Sequence, residues 1–342
     1  MFIGITGTTS SGKHTVAEYL VKKHGFELLT LESDLDTFER GIYEAEIKRF
    51  PNVNELLDHV TARWDQNYVV CDLECHDLWP LRKRPFFILV SVDGPITTRY
   101  ERFSRRQSAQ GKEIPSLESF ILQQDNQLYN NTNSDEGTTL DKTPLSAIMY
   151  SSDINIINHF RTKEALFQLL DQRDIVNKER LRPSWDTYFM QLSDLAARRS
   201  NCMKRRVGCI LVKDSKVVAT GYNGTPRGLR NCNEGGCERC NQGAPCGTGL
   251  DRCLCMHAEE NALLEAGRSR VGFDQGVVLY CNTCPCLGCA IKIVQQGVKE
   301  VVYNKSYGMD DMTAKIFKEA NVKLRQHVPP SMQIEIGSDL EP

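Results

Sequence analysis

The chain has 342 residues, 40% of them hydrophobic, with 42 Lys+Arg against 44 Asp+Glu for a net charge of −2. That length can bury a sizeable core divided over two domains, and the near-neutral charge excludes a global basic field for a nucleic-acid partner. No apolar run reaches the ~20 residues of a membrane span, and Met1-Phe2-Ile3-Gly4-Ile5-Thr6 lacks the basic and apolar regions of a secretory leader, so a cytoplasmic or nucleo-cytoplasmic protein with no membrane partner is expected.

The first half reads as α/β. A strand over Phe2–Thr6 leads into a Gly-rich turn and a helix through Val16-Ala17-Glu18-Tyr19-Leu20-Val21. The turn, Gly7-Thr8-Thr9-Ser10-Ser11-Gly12-Lys13-His14-Thr15, is close to a P-loop, in which backbone N–H groups cradle phosphates and the lysine reaches the outer ones. Gly7, Gly12 and Lys13 are its candidate phosphate contacts. The pattern departs where Ser or Thr should hold Mg²⁺: that position is His14, and Thr15 falls one residue late, about 100° round the helix. Tyr68–Asp72 and Phe86–Asp93 are apolar runs suited to buried parallel strands, each ending in an Asp that serves either a Walker B role or simply the strand end. Ser104–Thr143 is polar, with a mobile loop expected over Asn130–Gly137. Ile154–Asn158 and Lys163–Leu170 close the half as strand and helix. In outline, residues 1–175 resemble small nucleotide and dephospho-coenzyme-A kinases. The resemblance implies a P-loop NTPase-like α/β domain, and the missing Ser/Thr places nucleotide binding without turnover, or a purely structural role, ahead of kinase activity.

A boundary falls in the charged stretch Asp171–Arg182. Beyond it, Ser184 is placed to cap a helix running to about Arg199. Val207–Val212 and Lys216–Gly221 form a hairpin around Asp214-Ser215. After a Cys-rich loop come a helix over Glu260–Ala266 stopped by Gly267, a strand over Val277–Tyr280, a helix over Ala290–Gln296, a strand over Glu300–Tyr303 and a helix near Met312–Ala320. A hairpin followed by alternating helices and strands predicts a mixed sheet with helices on both faces.

The chemistry is concentrated in His257-Ala258-Glu259 and, 25 residues on, Pro285-Cys286-Leu287-Gly288-Cys289. One imidazole and two thiolates, each near a helix N-terminus, supply three ligands of a tetrahedral Zn²⁺ and leave the fourth position to water. A structural zinc would need a fourth protein ligand, and none is obvious here. Zinc draws the pKa of a bound water towards neutrality. Glu259 sits too near His257 in sequence to be that fourth ligand and is placed instead to carry the water proton. His-x-Glu with Pro-Cys-x-x-Cys is the signature of the zinc nucleobase deaminases.

Together with Gly221-Tyr222-Asn223-Gly224-Thr225-Pro226, Ser200-Asn201-Cys202 and Leu279-Tyr280, this makes residues 182–328 resemble the cytidine/deoxycytidylate deaminase superfamily, and within it the fungal type of deoxycytidylate (dCMP) deaminase. The resemblance implies hydrolysis of dCMP to dUMP and ammonia for thymidylate synthesis, in a homo-oligomer activated by dCTP and inhibited by dTTP. Asn223 stands either as a contact to substrate or effector or as a turn residue tolerating positive φ. Lys204, with Arg205 and Arg206, is a candidate for the 5′-phosphate. So is Tyr307, where the arginine that the family pairs with it is replaced by Gly308. Gly221 to Gly228 is a candidate hinge for the regulatory transition.

Twelve of the fourteen cysteines follow residue 200, which in an intracellular chain argues for metal over disulfides. Cys232, Cys237, Cys240, Cys246, Cys253 and Cys255 crowd into 24 residues, a density that rarely folds without metal. The resemblance implies a second, structural zinc on Cys202, Cys232 and Cys255, with Cys237, Cys240 or Cys253 as fourth ligand, and so about two zinc ions per chain. Two rival functions remain: a polynucleotide deaminase, disfavoured by the acidic charge, and a nucleotide-sensing regulatory protein, disfavoured by the intact zinc motif.

Overall fold

The computed structural model describes residues 1–32, 47–73, 75–130, 143–245, 248–271, 276–306 and 311–330. The chain divides into two units, Met1–Leu181 and Arg182–Pro330. In the first, the elements run β1 (Phe2–Gly7), α1 (Lys13–His24), β2 (Glu27–Leu31), β3 (Ile47–Phe50), α2 (Val53–Ala62), β4 (Tyr68–Cys71), α3 (Cys75–Arg82), β5 (Phe87–Asp93), α4 (Ile96–Ala109), α5 (Leu117–Tyr129), α6 (Leu145–Tyr150), β6 (Ile154–Ile157) and α7 (Lys163–Arg173).

Among the described residues these strands form a six-stranded, wholly parallel sheet ordered β3-β2-β4-β1-β5-β6. Its central strands β4, β1 and β5 are apolar on both sides because both faces are covered. Ile3, Ile5, Val69 and Val90 pack with Val16, Leu20 and Leu166 of α1 and α7. Alternate positions, Phe2, Val70 and Leu89, face the other way onto Leu56, Val60 and Leu81 of α2 and α3.

The described residues of the polar stretch after Ser104 are mostly helical: they hold the end of α4 and all of α5, whose start is capped by Ser116 Oγ accepting from Ser119 N at 3.1 Å. Its charges sit on outward faces, while Phe120 is fully buried and buried Arg99 donates to Gln124 Oε1 at 2.6 Å. Of the expected mobile loop, Asn130 terminates α5 and the remainder lies outside the described residues. The sequence reading did not anticipate β2, β3 or α2. β3 is an edge strand with Lys48 and Arg49 exposed, so it lacks an apolar run, but Asn52-x-x-Glu55 carries a legible helix start, and Asn52 Oδ1 accepts from Glu55 N at 3.0 Å.

The second unit runs α8 (Trp185–Ala197), β7 (Gly208–Lys213), β8 (Lys216–Tyr222), α9 (Glu238–Asn241), α10 (Ala258–Val271), β9 (Val278–Thr283), α11 (Leu287–Gln296), β10 (Glu300–Lys305), α12 (Asp311–Glu319) and β11 (Lys323–Gln326). The described residues give a five-stranded mixed sheet, β11-β10-β9-β7-β8, in which β7 is antiparallel to β8 and β9 and the other pairs are parallel. The hairpin turns at Asp214 and Ser215, whose φ of 49° and 58° supply the mirror-image turn that matches strand twist. Leu211, Leu279 and Val301 pack with Ala262, Ile293 and Phe317 of α10, α11 and α12 on one face. Ile210, Tyr280 and Val302 pack with Phe189 and Met190 of α8 on the other.

Two features were not anticipated. β11 adds a parallel edge strand, and its Arg325 forks onto Asp186 of α8 at 2.6 and 2.7 Å while Tyr280 donates to the same carboxylate at 2.8 Å. Gly267 interrupts α10 at φ 64°, ψ 164°, as expected of a stop, but helical turns resume to Val271. Among the described residues no helix is long and apolar enough to cross a membrane.

Candidate active site

His257 immediately precedes α10, Cys286 stands at the residue before α11, and Cys289 lies in the first turn of α11. The three converge: His257 Nδ1 is 3.4 Å from Cys286 Sγ and 3.3 Å from Cys289 Sγ, and all three atoms fall within 4.8 Å of one another. A tetrahedral zinc with Zn–N ~2.0–2.1 Å and Zn–S ~2.3 Å has an N···S edge of about 3.6 Å. Donor set and spacing therefore both fit zinc. The neighbouring Cys289, and after it His257, hold the Cys286 thiol well below the ordinary thiol range, against the effect of burial. His257 and Cys286 are exposed and Cys289 is buried, so the open side of the triangle faces outward.

Glu259, in the first turn of α10, is only 4% exposed. Burial pushes its carboxyl above the ordinary range, against the opposing pull of His257. A buried carboxyl of raised pKa beside three metal donors suits a group that takes up and returns a proton.

Residues missed in the sequence hold this arrangement together. The Glu260 carboxylate accepts from the His257 backbone N at 2.9 Å, closing the N-terminus of α10 in capping-box fashion, and also pairs with Lys292 of α11. One carboxylate thus ties the two ligand-bearing helices to each other; an acidic residue three beyond the first ligand was the available signal. Asn261 Nδ2 donates to Tyr222 O at 3.0 Å, fastening α10 to the end of β8. Beneath it, a Cβ on Gly221 would lie 2.2 Å from Ala258 O and 2.5 Å from Ala262 N, so the helix backbone rests directly on the strand.

Residues 183–305 match the family described as cytidine and deoxycytidylate deaminase zinc-binding region. Deoxycytidylate deaminase of Schizosaccharomyces pombe is 46% identical over 333 residues, 97% of this chain and 99% of that protein. The chain belongs to the deoxycytidylate deaminase family. Deoxycytidylate deaminase of Saccharomyces cerevisiae is 43% identical over 332 residues, 95% of this chain and 96% of its own, so both relatives align along both units. The deoxycytidylate deaminase of Mycobacterium phage D29 is 41% identical over 129 residues, which are 97% of its length and 36% of this chain. A protein of that name can therefore be little longer than the zinc-binding region.

The remaining site residues of this deaminase fall as follows. Asn223 is 7% exposed, and its side chain is occupied within the chain. Its Oδ1 accepts from Val207 N at 2.8 Å and lies 2.7 Å from Ser200 Oγ, and its Nδ2 donates to Arg205 O at 2.7 Å. It is not a positive-φ turn residue, and its side chain staples the segment between α8 and β7. Lys204 Nζ, a candidate for the 5′-phosphate, donates to the carbonyl of Ala244 in the Cys-rich loop. Tyr307 lies outside the described residues. The hinge reading of the glycines also changes: Gly221 and Gly224 have ordinary φ and serve close approach, Gly224 against Asn201 Oδ1 at 2.4 Å from a Cβ, and only Gly228 has a positive φ, 86°.

In the Cys-rich loop, Cys202, Cys232, Cys240 and Cys255 have their sulfurs within 4.8 Å of one another, and so do Cys237, Cys240, Cys253 and Cys255. In the first unit, Gly7 ends β1 and Gly12 precedes α1. Lys13 Nζ donates to Gly7 O at 3.1 Å and lies 2.7 Å from Asp72 Oδ1, while His14 Nε2 is 3.0 Å from Asp72 Oδ2. Burial works to raise the Asp72 carboxyl, but His14 and Lys13 prevail and hold it well below the usual carboxylate range. Thr8 Oγ1 donates to Asp93 Oδ1 at 2.6 Å. Both aspartates read from the strand ends therefore meet the loop.

Proposed function

We propose that this chain hydrolyses dCMP to dUMP and ammonia, feeding thymidylate synthesis. The observation that carries the reading is the convergence of His257 Nδ1, Cys286 Sγ and Cys289 Sγ beside the buried carboxyl of Glu259. His257, Cys286 and Cys289 would hold the zinc ion, which when bound supplies a Lewis acid that makes a water acidic near neutral pH. Glu259 takes one proton from the attacking water and passes it to the ring nitrogen beside the amine-bearing carbon, then takes the remaining proton from the hydroxyl on that carbon and gives it to the amino group, which leaves as ammonia. Glu260 and Lys292 keep α10 and α11 in register, so that imidazole and thiols stay convergent. The thiols of the Cys-rich loop would hold a second, structural zinc.

Regulation by dCTP as activator and dTTP as inhibitor in a homo-oligomer belongs to the same reading. Its support is a polar cleft lined by Arg198, Arg199, Asn201, Tyr222, Asn231 and Asn233, next to the Asn223 staple. Two guanidinium groups beside amides suit a phosphorylated nucleotide, and typical allosteric coupling is ~1–3 kcal/mol. Ammonia release from dCMP, dCTP, deoxycytidine and an oligonucleotide, measured side by side, tests substrate and control together. Only dCMP is expected to turn over, with sigmoidal saturation that dCTP renders hyperbolic and dTTP depresses. Preference for the oligonucleotide would replace the reading, and indifference to both triphosphates would remove its regulatory part.

We also read residues 1–175 as a P-loop kinase-like body that binds nucleotide without turning it over. Its loop lies at the C-terminal end of β1, where strand order reverses between β4 and β5, the usual ligand position of such sheets. His14 in place of a Mg²⁺-binding hydroxyl, paired with Asp72, argues against phosphoryl transfer. ATP is expected to bind the full chain without hydrolysis, and Lys13→Met to weaken it by about tenfold or more, as loss of a charged phosphate contact of ~1.5–3 kcal/mol requires. A wild-type chain that binds no ATP in calorimetry would leave this unit a structural role only.

A further inference from the structure

The six described cysteines around the second-unit loop come from separate places: Cys202 after α8, Cys232 after β8, Cys237 and Cys240 at α9, and Cys253 and Cys255 just before His257. They fall into two groups of four that share two members. Cys202, Cys232, Cys240 and Cys255 form one, and Cys237, Cys240, Cys253 and Cys255 the other, each with all four sulfurs within 4.8 Å. Cys202 and Cys240 are 3.8 Å apart, Cys240 and Cys253 3.9 Å, and the shared pair, Cys240 and Cys255, 3.9 Å.

These separations discriminate between chemistries. A disulfide needs ~2.05 Å. The S···S edge of a tetrahedral zinc thiolate, with Zn–S ~2.3 Å, is about 3.8 Å. Two such tetrahedra that share one edge use six thiolates, two of them common to both. We propose that the loop holds a binuclear zinc–thiolate cluster, with Cys240 and Cys255 bridging, Cys202 and Cys232 terminal on one ion, and Cys237 and Cys253 terminal on the other. This rests on the reading that the loop binds metal and goes beyond it in the number of ions. One ion on the first group would use neither Cys237, which is fully buried, nor Cys253, which packs against the same thiol cluster.

The surroundings fit the charge of such a cluster. Two Zn²⁺ with six thiolates carry a net charge of about −2, and terminal thiolates, which are not shared between cations, keep most of it. Terminal Cys232 accepts from Met203 N at 3.4 Å and Asn241 Nδ2 at 3.7 Å, and terminal Cys253 accepts from Arg239 Nη1 at 3.7 Å. Bridging Cys255 lies two residues before His257, and between them Met256 exchanges backbone hydrogen bonds with Gly224 at 2.9 and 3.2 Å. The cluster thereby anchors the chain as it enters the active-site helix.

Metal analysis of the purified full-length chain should give three zinc ions per chain, two in the loop and one at His257. Exchange with ¹¹³Cd should give two thiolate-range resonances split by mutual Cd–Cd coupling through the bridging sulfurs, and a third, uncoupled one. Cys237→Ser should lower the count from three to two and abolish the coupling; should that variant fail to fold, the wild-type cadmium spectrum decides alone. Two zinc ions with no coupling would overturn the binuclear cluster and leave a single structural ion. One zinc would overturn the loop as a metal site altogether while leaving the His257 centre standing.

Discussion

Glu259→Ala should keep the zinc at His257, Cys286 and Cys289 and lose at least ~10²–10⁴-fold in turnover, the usual contribution of a positioned acid–base group. The expectation follows from where the carboxyl sits. It is buried in the first turn of α10, two residues from one metal donor, and burial raises its pKa, so it both accepts and returns a proton readily. The substitution removes no metal donor, and alanine is a good helix former, so α10 should be undisturbed. Zinc content by metal analysis and ammonia release from dCMP are the two measurements. Near wild-type turnover with zinc in place would show that another group moves the protons. Zinc lost along with activity would mean that Glu259 acts through the metal site instead.

The second large effect concerns a residue with no chemistry. Gly221→Ala should lower stability by about 1–3 kcal/mol, the cost of an overpacked core, and turnover by up to ~10²-fold, since misplacing a catalytic group by ~1 Å costs that much. An added Cβ would sit 2.2 Å from Ala258 O and 2.5 Å from Ala262 N. These are helix backbone atoms that cannot rotate aside, so α10 must lift off β8, carrying His257 and Glu259 away from Cys286 and Cys289. Gly228→Ala is the control. Its added Cβ would meet nothing within 4 Å, and its cost is the strain of φ 86°, about 1–2 kcal/mol. Thermal melts should show both variants weakened, with kcat falling only for Gly221→Ala. Equal loss of kcat in both would restore the segment as a hinge.

Much of the site was legible because its parts are chemically distinctive and close in sequence. Two Cys three apart at a helix start, and a His two before a Glu at another, specify donors and a proton carrier whatever the rest of the fold does. The same locality made the hairpin at Asp214-Ser215 and the helix start at Ser184 readable, since each needs only its own backbone and one side chain. Asn223 shows where locality fails. An Asn among glycines signals a turn or a ligand contact, but which atoms its amide meets depends on Ser200, Arg205 and Val207, brought back by the packing of α8 against β7. The contact of Lys204 is hidden for the same reason: a basic run gives no hint that the carbonyl of Ala244, forty residues on, lies within reach.

The sequence by itself determined the candidate donors, the candidate proton carrier, the two-part α/β organisation and the thiol-rich loop, because residue type and short-range spacing decide these. Only the tertiary structure decided that Gly221 is a seat for a helix, that Glu260 and Lys292 join the two ligand helices, and that Cys240 and Cys255 belong to both thiol groups at once. Each of these depends on distances between segments far apart in the chain. Such distances are set by how the helices close over the sheet, and a list of residues contains them only implicitly.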